Sequence, residues 1–315
     1  MTVEVVAVTR KIGIIGMGHV GQAVAQQIIT NGYTDDLVLI DQNEAKVGAD
    51  ALDFEDAMAN LTYHTNIVVN DYAALKDADI IISALGKISL SDNPNVDRFA
   101  ELPHNRKQVR EVAEKIKESG FDGIIIAITN PVDVITSLYQ EVTGLPKEHV
   151  IGTGTLLDSA RMQRAVAKGL NIDPRSVSGY NLGEHGNSQF TAWSTVRVLD
   201  RPIKEIANDR GLDLHEINEE ARIGAGDVMK GKHYTNYGVA AAAVRLANVV
   251  LNDAREVLPV SNFREEYGTY LSYPAVIGRD GIVEQLQLQL TDEELYKLRK
   301  SAHFIMQKIA KQIKF

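Results

Sequence analysis

Lys11-Ile12-Gly13-Ile14-Ile15-Gly16-Met17-Gly18-His19-Val20-Gly21 is the stretch on which the fold turns. An Ile-rich run suited to a buried strand passes straight into glycines spaced G-x-G-x-x-G, and these open a helical pattern, Val20 to Thr30. Strand, glycine turn and helix in that order are what a dinucleotide-binding βαβ unit requires. Gly16 permits the tight turn, Gly18 lets backbone approach a pyrophosphate, and Gly21 allows helix and strand to pack closely. The helix N-terminus then offers free N–H groups to the phosphates. Asp41 ends the second apolar run, Leu37 to Ile40, at 20 residues beyond Gly21, where an acid accepts hydrogen bonds from the adenosine ribose. Its charge repels a 2′-phosphate, and Gln42 and Asn43 supply no arginine to receive one, so the cofactor expected is NAD rather than NADP.

Further apolar runs follow at Ile80 to Ser83 and Gly123 to Ile128. Runs that are continuous rather than alternating fit strands covered on both faces, hence a parallel sheet flanked by helices. Helical patterns at Glu44 to Ala59 and Arg106 to Ser119 fill the intervals, and the first and last helices of this half stop near Gly32 and Gly120. After about Val150 the texture changes. Leu156 to Leu170 is a long helix pattern, Ser176 to Leu199 alternates like antiparallel strands, and Ile203 to Leu258 reads as helical. A strand-like stretch near Tyr270 to Ile282 precedes a C-terminal helix, Asp292 to Lys314, begun by the capping pattern Thr291 to Glu294. The fold class expected is α/β: a Rossmann doubly wound parallel sheet over residues 1–150, then an α+β substrate domain with antiparallel strands over residues 151–315. A chain of 315 residues suits two such domains, and with no flexible linker between them they should pack tightly.

Composition narrows the function classes. The absence of cysteine excludes disulfides, thiolate metal sites and a cysteine nucleophile. No HExxH motif is present and the histidines are scattered, so no metal site is expected. A net charge of −9 leaves no overall footprint for nucleic acid or an anionic membrane. Met1 to Arg10 carries no signal-peptide pattern and no apolar run approaches the length of a membrane span, so a cytoplasmic protein is expected.

Polar residues gather in the second half. Asp158 and Arg161 stand three apart in a helix pattern and so share a face; taken alone the pair reads more readily as an intrahelical salt bridge. Gly183-Glu184-His185-Gly186 flanks a histidine with glycines, which suits a side chain aimed into a cavity, although a lone histidine is usually structural.

GTGTLLDSARMQ from Gly152, YNLGEHGNSQF from Tyr180, TNPVDVIT from Thr129 and the glycine fingerprint together resemble the L-lactate and malate dehydrogenase family across essentially the whole chain. DNPNVDRFAEL from Asp92 and LSYPAVIGRDG from Leu271 look most like its L-2-hydroxyisocaproate dehydrogenase branch, which reduces 2-oxo acids with larger aliphatic side chains. The resemblance implies an NAD-dependent L-2-hydroxy acid dehydrogenase with His185 as proton donor and Asp158 as its holder. It implies that Arg161 grips the substrate carboxylate and that Arg98 closes over the substrate and polarises the carbonyl. Asn130 would bond the cofactor ribose or the substrate, and Thr235, in the helical pattern after Lys232, would line the substrate pocket. Assembly as a homotetramer, or a homodimer, follows from kinship alone.

The chain departs from the family between Gly86 and Arg98, which span 12 positions where the lactate pattern spans about nine. Malate enzymes place an arginine six residues before the loop arginine; here Asp92 stands there, and Leu90 or Ser91 occupies the position in other alignments. A dicarboxylate would leave its second carboxylate without a partner, so malate is disfavoured. A longer loop with Leu90 suggests room for a branched aliphatic acid. Lactate dehydrogenase acting on pyruvate is the alternative within the enzyme class, and a non-catalytic NAD-binding protein is the alternative outside it.

Overall fold

The computed structural model of the chain describes residues 9–87 and 98–313. Its first half alternates strands and helices: β1 (Lys11–Ile15), α1 (His19–Asn31), β2 (Asp36–Ile40), α2 (Glu44–Met58), β3 (Asn66–Val69), β4 (Ile80–Ser83), α3 (Leu102–Ser119), β5 (Ile124–Ala127), α4 (Val132–Thr143) and β6 (Val150–Gly152). These strands pair in parallel in the order β6-β5-β4-β1-β2-β3. The winding therefore reverses between β1 and β4, and ligands of such sheets bind outside the carboxyl ends of the strands at that point. Gly16 leaves β1 there, beside residues 84–87 leaving β4.

Every residue of β4 and β5 is buried, which is why their Ile runs do not alternate. Val24 and Ile28 of α1 pack on one face of the sheet, and Val109, Ile116, Ile135 and Tyr139 of α3 and α4 pack on the other. The expectations above contain neither β3 nor α4. β3 is an edge strand with no buried residue, so its sequence carries little apolar signal. α3 starts at Leu102, earlier than its periodicity suggests, with Pro103 in its first turn.

The second half adds α5 (Leu156–Leu170), β7 (Val177–Ser178), β8 (Asn181–Leu182), β9 (Phe190–Thr191), β10 (Arg197–Val198), β11 (Arg201–Pro202), α6 (Ile203–Arg210), α7 (Leu214–Lys232), α8 (Tyr237–Leu251), β12 (Glu256–Arg264), β13 (Thr269–Gly278), β14 (Gly281–Gln285) and α9 (Asp292–Ile313). β7 to β11 form two small antiparallel sheets, as the alternation from Ser176 to Leu199 indicates. β12 pairs antiparallel with β6 at Ser261 and Gly152, so β12 to β14 extend the parallel sheet to nine strands and the two halves share one framework.

Two expectations need correction. The helical reading of Ile203 to Leu258 runs too far: α8 stops at Leu251, the chain turns through Asp253 and Arg255 at positive φ, and Glu256 to Leu258 begin a strand. Short apolar runs do not by themselves separate helix from strand, and here one follows a helix after four residues. Thr235 is not helical either. α7 ends at Lys232, His233 turns left-handed with φ 63°, and Thr235 lies in the break before α8. The capping pattern of α9 is confirmed: the Thr291 N–H donates to Glu294 Oε2 at 2.9 Å and the Glu294 N–H to Thr291 Oγ1 at 3.3 Å. Among the described residues no helix is long and apolar enough to cross a membrane.

Candidate active site

Two of the three fingerprint glycines answer to constraints within the protein, and the third stands open. Gly16 has φ +94°, and a Cβ on it would lie 2.8 Å from the backbone of Ala84, so both backbone angle and space demand glycine. A Cβ on Gly21 would overlap the carbonyl oxygen of Gly16, so the helix can meet the turn only without a side chain. No atom lies within 4 Å of where a Cβ on Gly18 would sit. Nothing in the protein requires glycine there, and the bare backbone faces the open space that a pyrophosphate needs. α1 begins with no side-chain cap, which leaves its first N–H groups for the phosphates.

Asp41 is fixed through both carboxylate oxygens. Its Oδ2 accepts the Met17 N–H at 2.7 Å and its Oδ1 the Asn43 N–H at 2.9 Å. Each carboxylate oxygen has a second lone pair, so ribose hydroxyls can add to these bonds. Lys46 was not foreseen from sequence: its ammonium donates to the Met17 carbonyl and, at 2.6 Å, to Asp50. Gln22 donates to the other oxygen of Asp50 at 2.8 Å, so α1, α2 and the glycine turn are clasped together. The turn therefore fits a dinucleotide whose adenosine ribose is unphosphorylated.

His185 and Asp158 meet although 27 residues apart: His185 Nδ1 lies 2.6 Å from Asp158 Oδ2. The other oxygen of Asp158 accepts Arg161 Nη1 at 2.9 Å. The intrahelical ion pair that the spacing alone suggests is thus present, but it is not isolated; the acid bridges an imidazole and a guanidinium. Asp158 is only 4% exposed, and a buried carboxylate needs such partners. Among the described residues no other acceptor engages Arg161, whose side chain is 19% exposed and keeps further N–H donors. With Nδ1 committed to Asp158, the imidazole turns Nε2 away from it.

The glycines around His185 serve a different purpose from the one their sequence suggests. A Cβ on Gly186 would overlap the Glu184 carboxylate, and a Cβ on Gly183, at φ +92°, would come within 2.6 Å of Ser301 Oγ. They make room for the Glu184 carboxylate and for Ser301 rather than for the ring. Glu184 is buried, accepts the N–H and hydroxyl of Ser188 at 2.8 and 2.7 Å, and donates its own N–H to Ser301 at 2.7 Å. Asp133 is buried as well, accepting the His185 N–H at 2.9 Å and the Ser261 hydroxyl at 2.6 Å. Sequence reasoning missed both acids. Asp133 stands within TNPVDVIT and Glu184 beside the histidine, but nothing in their spacing marks them as buried.

Asn130 is joined to Pro131 by a cis peptide bond and lies exposed at the end of β5, its carbonyl accepting Asn105 Nδ2 at 2.8 Å. The hydroxyl of the preceding residue, Thr129, is buried with no partner among the described residues. Thr235 is half-buried, and its neighbour Tyr234 stacks on His19 of the glycine turn with ring centroids 3.7 Å apart and planes 6° apart. That contact brings the break between α7 and α8 against the fingerprint. Arg98 begins a short 3-10 turn, Arg98–Glu101; its side chain, and the segment with Leu90, Ser91 and Asp92, lie outside the described residues.

Such a fold, with a dinucleotide turn in one half and an acid-held imidazole beside a guanidinium in the other, defines an NAD-dependent oxidoreductase acting on a CH–OH group. The chain belongs to the lactate/malate dehydrogenase family: residues 10–152 match that family's NAD binding domain, and residues 155–315 its alpha/beta C-terminal domain. L-lactate dehydrogenase 3 of Bacillus thuringiensis subsp. konkukian is 38% identical over 302 residues, covering 93% of this chain and 95% of the relative. L-lactate dehydrogenase 1 of Bifidobacterium longum subsp. longum is 36% identical over 304 residues, covering 94% and 95%. Among solved structures, the ligand-bound minor L-lactate dehydrogenase of Enterococcus mundtii superposes with a TM-score of 0.91 at 33% identity, over 96% of this chain and 98% of that one. MGS-M5, a lactate dehydrogenase from a Medee basin deep-sea metagenome, does so at 0.90 and 29% identity, over 97% and 99%.

Proposed function

We propose that the chain reversibly transfers hydride between NADH and medium aliphatic or branched 2-oxo acids, as an L-2-hydroxy acid dehydrogenase of the L-2-hydroxyisocaproate type. Residues 1–150 form the NAD-binding domain and residues 151–315 the substrate domain. The observation that carries the reading is the bridge from His185 through Asp158 to Arg161. Bound NADH supplies the hydride. As negative charge develops on the carbonyl oxygen, His185 Nε2 delivers a proton, and Asp158 holds Nδ1 so that the imidazolium is oriented and stabilised. Arg161 takes the substrate carboxylate through two parallel N–H donors, and Arg98 polarises the carbonyl. Asn130 and Thr235 line the site, while Gly16, Gly18, Gly21 and Asp41 hold the dinucleotide.

The preference for larger side chains is supported by the longer stretch from Gly86 to Arg98, with Leu90 in it and no arginine for a second carboxylate. The second reading, pyruvate as preferred substrate, is favoured by the L-lactate dehydrogenase names of the relatives. NADH absorbance loss with pyruvate, 2-oxo-4-methylpentanoate, phenylpyruvate and oxaloacetate separates them. The branched acid should lead in kcat/KM, though a methylene or two discriminates by only about 1 to 3 kcal/mol. Leadership by pyruvate makes this a lactate dehydrogenase, and failure of every acid with NADH still bound makes it a non-catalytic NAD-binding protein. A homotetrameric assembly, with a homodimer as the alternative that sizing would reveal, and a cytoplasmic location complete the reading.

A further inference from the structure

Asp133 plays no part in the chemistry just described, yet it touches its centre. It is the second residue of α4, three beyond Asn130, and 2% exposed. One oxygen holds the main chain of His185 and the other holds Ser261 of β12, so a single carboxylate joins the Asn130 turn, the histidine turn and the sheet. Its charge is not neutralised by any ion pair among the described residues; only N–H and O–H donors reach it. Burial pushes the carboxyl up to about 7, against the pull of the Ser261 and His185 donors; nearby Glu184 pushes it further up, and positive charge on His185 draws it down. Among the described residues, Asp158 meets the imidazole at Nδ1, Asp133 holds the main chain beneath it, Glu184 is its neighbour in sequence, and Arg161 lies on the far side of Asp158.

We propose that Asp133 is a positioning residue for the reaction: it fixes the His185 main chain against the Asn130 turn, and its negative charge favours the imidazolium that donates the proton. The two groups titrate as a coupled pair, each charged form stabilising the other. The inference rests on His185 being the proton donor. In the direction of 2-oxo acid reduction the enzyme needs imidazolium, so kcat/KM falls as pH rises through the apparent pKa of His185. Removing the charge at Asp133 destabilises imidazolium and moves that fall to lower pH. An opposite charge within hydrogen-bond range moves a pKa by about 1 to 3; Asp133 reaches the main chain rather than the ring, so a fall of about 0.5 to 1 is expected.

The test is the pH profile of kcat/KM from pH 5 to 9 at saturating NADH for the wild type, Asp133→Asn and Ser261→Ala. Ser261→Ala removes a donor that holds the charged form of Asp133, raises the carboxyl further and so shifts the profile the same way by a smaller amount. It carries the test alone if Asp133→Asn does not fold. Proportionately greater loss of activity at pH 8 than at pH 5.5 supports the proposal. Equal loss at every pH, with the apparent pKa unmoved, overturns it and leaves Asp133 as scaffold. Should the wild type reduce no 2-oxo acid, the proposed function fails, and the NMR titration of the His185 ring in the protein without substrate still decides this inference. An unchanged His185 pKa in the variants then refutes it.

Discussion

Asp158→Asn tests the centre of the site most sharply, because the acid serves two partners at once. The amide keeps the size of the side chain and removes its charge, while His185 Nδ1 at 2.6 Å and Arg161 Nη1 at 2.9 Å each lose a charged partner. Hydrogen bonds to charged groups contribute about 1.5 to 3 kcal/mol, against about 0.5 to 1.5 for neutral ones, so the contact that keeps the amide oxygen weakens by about 1.5 kcal/mol, and the one that meets the amide NH2, which can only donate, loses at least as much. Two contacts give about 3 kcal/mol, and at about 1.4 kcal/mol per tenfold this is a loss of about 10²-fold in kcat/KM. The halves should separate. On the proposed roles, the His185 contact strengthens only as imidazolium stabilisation is needed in the transition state, so its share should lower kcat; the Arg161 contact would align the carboxylate clamp already in the ground state, so its share should raise KM. NADH oxidation followed over a range of 2-oxo acid concentrations gives both constants, and NADH fluorescence titration should show unchanged coenzyme affinity. A folded variant with wild-type kcat would show that Asp158 does not hold the proton donor. If the effects of Asp158→Asn and Arg161→Lys simply add, the bridge is not acting as one unit.

Arg161→Lys should raise KM for the 2-oxo acid about tenfold, the equivalent of one charge-assisted hydrogen bond, with kcat less affected; an unaltered KM places the carboxylate elsewhere. Asp41→Ser should weaken NADH binding and admit NADPH, read as the ratio of their dissociation constants, since the ribose acceptor and the charge opposing a 2′-phosphate are both lost. Gly21→Ala forces a methyl group into the Gly16 carbonyl and should cost about 1 to 3 kcal/mol in unfolding free energy together with NADH affinity; a variant as stable as wild type would mean that the turn yields easily. Asp133 also makes stability depend on pH. Burial pushes its folded carboxyl up to about 7, well above the ordinary aspartate range, so the folded state holds more protons across that window and the contribution of Asp133 falls as pH rises through it. Urea midpoints at pH 5 and pH 8 should therefore differ less for Asp133→Asn than for the wild type.

The parts legible in the sequence are those whose cause is local. Gly16 and Gly21 carry their reasons in adjacent atoms, whereas the space at Gly18 is empty of protein. The central strands announce themselves because burial on both faces demands unbroken Ile and Val, whereas β3, with no buried residue, offers no such run. Asp158 and Arg161 could be placed on one helix face by spacing, but their union with His185 depends on a contact across 27 residues and came only from family resemblance. Glycines on either side of a histidine suggest space for its ring, but the space belongs to Glu184 and Ser301. Ser301 is 117 residues from Glu184 and Ser261 is 128 from Asp133, and no periodicity connects such positions.

Burying Asp133, Asp158 and Glu184 so near one imidazole is costly in a chain already carrying a net charge of −9, and each acid offsets that cost differently. Glu184 closes a local loop with Ser188 and is fastened to α9 by its N–H on Ser301, so its charge serves the shape of the turn. Asp158 is matched by Arg161 and reaches the ring, so its charge serves orientation. Asp133, like Glu184, is met by neutral donors alone among the described residues, and it is the acid that links the nucleotide-binding half to the histidine. A carboxylate so placed is least costly when a positive charge stands nearby. On the proposed role of His185 as proton donor, the charge that orders the junction between the halves at Asp133 is the same charge that would favour the imidazolium.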